Sequence, residues 1–323
     1  MVVQSFVDQG LPLANVLAAA SLARSTFYYR PSGGGSRGRP LSTLTLKSDG
    51  SWATNRQVVA HIEAILAMEF VDYGYLKVCH ALRMDYGYLI NPKKVYGIMG
   101  REGLLCKPQH IDRGKRNWVN ELVPSPAGFF SHLEFDIKYI WVGGKKRNAM
   151  VLTVIDVYSR MALGHSIAWA ISKHDVVRLF DRLFDHFGTP KKFFVRNDNG
   201  SQMAAALVQD YFKAVEGATQ EFTKPATPQQ NAHIESYHSV LERAVCQKFN
   251  FNDLEDLIDT MDRWIIFYDF KRIHSGIGYL CPYKFLLQKG VGLGSGLPLL
   301  EVLVCSNAKL TDLNNKFVQY LGC

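Results

Sequence analysis

The sequence predicts an α/β protein: a mixed five-stranded sheet flanked by helices, with small helical segments ahead of it. Three observations predict it. Residues 129–171 contain three apolar, strand-like runs joined by short connections, the pattern of an antiparallel meander. From Lys173 onward helical and strand periods alternate, which adds further strands and their covering helices. Ahead of Pro124-Ser125-Pro126 the apolar spacing is helical, broken by one Gly/Ser-rich stretch.

Taken in order, residues 1–31 read as a small helical segment. Leu13, Val16, Leu17 and Ala20 have helical spacing, and Ser21 is placed to cap a second short helix ending at Phe27-Tyr28-Tyr29-Arg30. Residues 32–51 have the composition of a flexible linker. Residues 52–106 predict three helices. Val58, Val59, Ile62, Ile65 and Leu66 form the stripe of the first, Tyr75 to Met84 the second, and Asn91-Pro92 starts the third, which ends near Gly103. The third carries Lys93, Lys94 and Arg101 around Val95, Ile98 and Met99. Such a set suits a helix-turn-helix reader of the major groove; a three-helix bundle with solvated lysines accounts for the same residues. Residues 107–126 form a basic linker in which Lys115 and Arg116 are candidates to follow a phosphate backbone.

The core is expected over 127–288. Strands are predicted at Phe130–Trp141, Asn148–Tyr158 and Ala162–Ile171, a helix at Lys173–Phe187, a buried strand at Lys192–Arg196, a helix at Gln202–Glu216 and a fifth strand at Thr219–Lys224. A long helix from about Gln229 to Phe249 and a last one from Asp253 to Asp269 complete it. Residues 289–323 are an extension to which the sequence assigns no role.

Composition narrows the function. Apolar residues make up 47% and charged residues 20%, an ordinary globular balance. The net charge is +8, and the first 123 residues hold 15 Lys+Arg against 9 Asp+Glu while the rest hold 22 against 20. A basic front half points to an anionic partner held there. The six cysteines form no C-x-x-C pair, which argues against a zinc ribbon and a disulfide framework. No apolar run is long enough to span a membrane, and the first ten residues lack the pattern of a secretory signal, so a cytoplasmic protein is expected.

Three carboxylates stand out. Asp136 lies in the otherwise bulky run His132–Trp141, where a lone carboxylate is costly unless paired or metal-bound. Asp198 closes a strand ahead of Asn199-Gly200, and in open α/β sheets sites gather at the carboxyl ends of strands. Glu235 sits on a helix able to reach back over the sheet. Taken singly they also read as an edge residue, a turn residue and a solvated helix residue.

Further motifs carry a resemblance. Tyr73-Gly74-Tyr75 through Asn91–Tyr96 to Arg101-Glu102-Gly103-Leu104, Val154–Arg160, Asp198-Asn199-Gly200-Ser201-Gln202, Asn231–His238 and His274–Pro282 occur in the order seen in insertion-sequence transposases of the retroviral-integrase type. The chain is similar to the catalytic reading-frame product of a two-frame bacterial insertion element. The resemblance implies an RNase H-like core and a D-D-E triad at Asp136, Asp198 and Glu235, holding two Mg²⁺ or Mn²⁺ ions for DNA cleavage and strand transfer. It also implies double-stranded DNA as substrate, a homo-oligomer on that DNA, a bacterial nucleoid-associated location and an upstream reading-frame protein as a possible partner, because no leucine-zipper region is present in this sequence. Two departures are visible. One extra residue separates Asp198 from Glu235, and Glu242 stands where the family carries a DNA-contacting base, which moves that contact to Arg243. A nuclease without joining activity and a non-catalytic DNA-binding derivative are the alternatives.

Overall fold

The computed structural model describes residues 2–29, 42–106, 126–223, 231–293 and Leu303. It divides into two compact units, Met1–Ser42 and Thr43–Cys323. The first unit holds α1 (Val2–Asp8), α2 (Leu13–Ala19) and α3 (Arg24–Tyr28). Ser21 does not cap α3. It takes a positive φ of 51° and closes α2, with Ser21 N–H on Ala18 O and Leu22 N–H on Leu17 O. That is the Schellman pattern, so the residue expected to open one helix ends the one before it.

In the second unit, the linker expected over 32–51 is cut short by a hairpin. β1 (Leu44–Leu46) pairs antiparallel with β2 (Trp52–Thr54). The turn between them uses Gly50 at φ 82°, with Asp49 accepting from Ser51 N–H at 2.9 Å. Asp-Gly between apolar residues is a hairpin signal that composition alone overlooks. Three helices follow: α4 (Asn55–Leu66), α5 (Tyr75–Tyr86) and α6 (Pro92–Arg101). Thr54 and Gln57 form a capping box on α4, and Asn91 caps α6 through Lys93 N–H at 2.7 Å.

The core begins with β3 (His132–Val142), β4 (Arg147–Asp156) and β5 (Ala162–Ala168), then α7 (Lys173–Phe187), β6 (Phe193–Asn197), α8 (Ala206–Ala214) and β7 (Ala218–Phe222). It ends with α9 (Ala232–Leu241), α10 (Leu254–Phe270) and α11 (Pro282–Gln288). The sheet runs β5-β4-β3-β6-β7, antiparallel on the β5-β4-β3 side and parallel across β3-β6-β7. Phe135 faces Phe180 of α7 and Phe212 of α8, which cover one side. Glu134 and Asp136 face the other side, under α9. The long helix expected to about Phe249 is regular only to Leu241; Glu242–Cys246 continues as a wide turn in which Gln247 N–H reaches Glu242 O at 2.9 Å.

Tyr73 joins the helical segment to the core. Its hydroxyl accepts from Ile273 N–H at 2.9 Å, next to an Asp72–Arg272 ion pair of 2.5 Å. Phe70 packs on Phe249, Trp264 and Phe267. With Tyr73 buried, Tyr73→Phe leaves the Ile273 amide without an acceptor. Urea denaturation is expected to register a loss of about 1–3 kcal/mol; an unchanged midpoint counts against this joint.

Candidate active site

Strand register brings the first two carboxylates together. β3 and β6 are parallel with Leu133 opposite Val195 and Glu134 opposite Arg196. Continuing that offset by two residues sets Asp136 beside Asp198, just beyond the end of β6. Asp198 sits in a tight turn where its Oδ1 accepts from Gly200 N–H at 2.9 Å. A Cβ at residue 200 would lie 3.0 Å from that oxygen, so glycine permits the close approach. Asn199 anchors the turn to Thr223 O at 2.8 Å, and Gln220 holds Asn197 at 2.9 Å.

Helix α9 supplies the third carboxylate, and its alignment on β3 is specific. The strand positions Glu134, Asp136 and Lys138 meet the helix positions 233–234, 238 and 242 in turn. Glu134 Oε2 accepts from His233 N–H at 3.0 Å and Ile234 N–H at 2.8 Å. Asp136 Oδ2 lies 3.5 Å from His238 Nδ1, and Lys138 pairs with Glu242 at 2.8 Å. Two residues of strand rise about 6.6 Å and four of helix about 6.0 Å, so the two periods stay in step. Glu235 projects beside this seam and is exposed.

Asp136 lies within electrostatic range of the other two. Burial pushes the Asp136 carboxyl up to about 6, and the charges of Asp198 and Glu235 add to the rise. Burial also raises Glu235. His238 offers no compensating charge, because burial and then Lys138 hold it down at about 4. Lys138 is committed to Glu242, which explains why that position is acidic here. Three oxygen donors with too little positive charge around them fit a hard divalent cation. They do not form a closed cage: among the described residues no three His, Cys, Asp or Glu side chains stand close enough to ligate one ion.

Glu134 is the buried carboxyl beneath α9 that sequence reasoning passed over. It is fully buried, and it satisfies the first amides of α9 where the helix's own N-cap, Asn231, makes no side-chain bond. A carboxylate there also favours the positive end of the helix dipole. The signal was present: the cost argument that singled out Asp136 applies equally to a Glu two residues earlier. Asp156, by contrast, is a buried turn former that accepts from Phe130 N–H at 3.0 Å and from Ser159 N–H at 2.7 Å.

The expected DNA-binding residues divide. Lys93 and Arg101 are exposed on α6. Lys94 instead donates to Leu44 O at 2.8 Å and Thr45 Oγ1 at 2.7 Å, fastening β1. Arg243 lies 3.4 Å from Asp72. Lys115 and Arg116 lie outside the described residues, as does most of the loop expected to absorb the extra residue before Glu235.

Burial pushes the Glu134 carboxyl up to about 7 from an ordinary 4.5. The stability it contributes is therefore fully present below pH 4.5 and lost as pH rises through about 7. In metal-free buffer, wild type is expected to lose about 3 kcal/mol relative to Glu134→Gln across that window, measured by urea denaturation. A stability gap between the two that is flat with pH would contradict it.

Known proteins carry the same order of segments. Residues 128–228 match an integrase core domain family, residues 216–282 a second integrase core domain family, and residues 52–111 an HTH-like domain family. The transposase for insertion sequence element IS904 of Lactococcus lactis is 25% identical over 241 residues, 69% of this chain and 91% of that protein. The putative transposase InsK for insertion sequence element IS150 of Escherichia coli is 24% identical over 301 residues, 89% of this chain and 98% of that one. Among solved structures, the catalytic core domain of BIV integrase aligns with 50% of this chain and 96% of its own at a TM-score of 0.36 and 16% identity.

Proposed function

We propose that this chain works as an insertion-sequence transposase of the integrase type, with Asp136, Asp198 and Glu235 as its catalytic and metal-holding triad. The observation that carries the proposal is the β3–β6 register, which sets Asp136 beside Asp198 under the helix that bears Glu235, with Asp136 raised by the charges of both. Mg²⁺ or Mn²⁺ suits an all-oxygen donor set. Two such ions, when bound, activate a water or 3′-hydroxyl for in-line attack and neutralise the leaving oxygen.

The protein's own groups prepare that chemistry. Asp136 keeps one oxygen on its neighbour Ile137 N–H at 2.7 Å, which fixes its carboxylate plane. Asp198 is fixed likewise through Gly200. Glu134 holds the start of α9 on the sheet, so that Glu235 is presented from an anchored helix. Neutral His238 steadies Asp136 without taking its charge. Lys93 and Arg101, open on α6, are proposed to meet double-stranded DNA; Lys94 and Arg243 first have internal partners to leave. Working on two element ends calls for more than one copy of the chain on the DNA, with the upstream reading-frame protein as a further candidate partner. Among the described residues no helix is long and apolar enough to cross a membrane. The bacterial nucleoid is the proposed place of action.

Strand transfer with oligonucleotides carrying the element ends, in Mg²⁺, tests the triad. Asp136→Asn, Asp198→Asn and Glu235→Gln are each expected to lose cleavage and joining by roughly 1000-fold, about 4 kcal/mol of transition-state stabilisation. DNA binding in a mobility-shift assay is expected to persist. Activity near wild type in any one of them removes that residue from the triad.

A further inference from the structure

On the flank of α9 away from Glu235 lies a cavity of about 290 Å³, lined by Lys77, Arg160, His233, Ser236, Arg272 and His274 among others. His233 and Ser236 recur three apart on the helix, so they share one face, while Glu235 and His238 share another. Motif stretches singled out in the sequence meet here. Lys77 follows Tyr73-Gly74-Tyr75, Arg160 ends Val154–Arg160, His233 and Ser236 belong to Asn231–His238, and His274 opens the last. The transposase triad gives the last three of these motifs no use for their basic residues.

The charge in this cavity is one-sided. Three basic side chains line it, and each nearby carboxyl group already holds a bond elsewhere, with Glu134 Oε1 and Asp269 Oδ2 left unpaired. Asp72 is shared by Arg272 and Arg243. Glu134 is held by the amides of α9, Asp156 by Ser159 and Phe130, and Asp269 by Ala162 N–H at 2.9 Å. Arg272 is only 1% exposed, and its Nε has no hydrogen-bond partner. Arg160 Nη1, His233 Nε2 and His274 Nε2 also lack one. Arg272 Nε and Arg160 Nη1 are donors in any protonation state, and buried donors without acceptors are costly, so this wall points to an absent acceptor. The backbone at Arg160 is set by the turn that Asp156 forms. It is held at φ 67°, a region a non-glycine residue avoids, with its amide fixed on Asp156 O at 2.8 Å. Lys77 is pushed down to about 7, by burial first and then by Arg272, and the charge of Asp72 offsets this only in part.

We propose that this cavity binds a backbone phosphodiester of the DNA substrate. The proposal rests on the transposase reading for the identity of the anion. A phosphodiester brings two non-bridging oxygens that accept from guanidinium and ammonium groups, and it carries no sequence information. Its seat shares α9 with Glu235, so DNA held there bears on the helix that presents the third carboxylate. It also spans residues of the HTH-like segment and of the core, which a duplex crossing both would reach together.

The test is equilibrium binding of the full-length protein to a fluorescein-labelled duplex of arbitrary sequence. Anisotropy is followed from about 50 to 200 mM NaCl in EDTA. The double variant Lys77→Met/Arg160→Gln is expected to flatten the slope of log K against log salt by about 0.9, one phosphate's worth. Arg160→Lys, which keeps the charge, is expected to retain the wild-type slope, and circular dichroism melting checks that each variant is folded. An unchanged slope in the double variant overturns the proposal, as does a flattened slope that Arg160→Lys shares. Inorganic phosphate provides a separate arm. If it raises the melting temperature of wild type but not of the double variant while the DNA slope is unchanged, the site holds free phosphate and the DNA assignment fails. Because binding is measured without divalent metal, the outcome is independent of whether Asp136, Asp198 and Glu235 carry the chemistry.

Discussion

In the proposed triad Asp136 is raised by the charges of Asp198 and Glu235, and the parts around them hold the three in place. Near a protein surface, like charges a few ångströms apart cost several kcal/mol before any counter-ion enters. This chain meets that cost with rigid parts. The parallel register of β3 on β6 fixes Asp136 beside Asp198, and a glycine at 200 lets Asp198 fold back onto its own turn. Glu134 clamps the first amides of α9. Each device acts on the backbone, and so does not depend on the charges it has to resist. Lys138, two residues along β3 from Asp136, is paired with Glu242.

The same division of labour runs through the basic residues. A net charge of +8 suggests a chain covered in free cations for DNA, yet many of its lysines and arginines are structural. Lys94 fastens the β1–β2 hairpin, Arg243 and Arg272 share Asp72, and Lys271 pairs with Asp85 at 3.2 Å. The pairs of Arg243, Arg272 and Lys271 tie the HTH-like segment to the residues that follow α9 and α10, within one compact unit. What remains for DNA is the open part of α6 and the cationic cavity behind α9, two surfaces of the same unit.

Much of this was legible in the sequence because periodicity and turn chemistry are local. Asn91-Pro92 starts α6, Ser172 and Asp175 box the start of α7, and the apolar runs of β3, β4 and β6 give the sheet. Asp136 and Asp198 were found by the cost of a carboxylate in a strand and by the strand's end, whereas Glu235, exposed on its helix, carried no such physical mark and came from the motif. The misses share a cause: which acceptor a donor finds is decided by tertiary packing. No local rule reveals that Glu134 caps a helix a hundred residues away, that Lys94 turns inward, or that Ser21 closes α2 rather than opening α3. The β1–β2 hairpin is different, since Asp49-Gly50 announced it and the Gly/Ser content of the preceding stretch obscured it.

The central claim is that the three carboxylates act as one metal site, and Mn²⁺ binding measured by isothermal titration calorimetry tests it without recourse to DNA or catalysis. Wild type is expected to take up two Mn²⁺ per chain, with both sites weakened in Asp136→Asn, because that residue is coupled to the other two. Binding in Asp136→Asn equal to that of wild type would contradict the account.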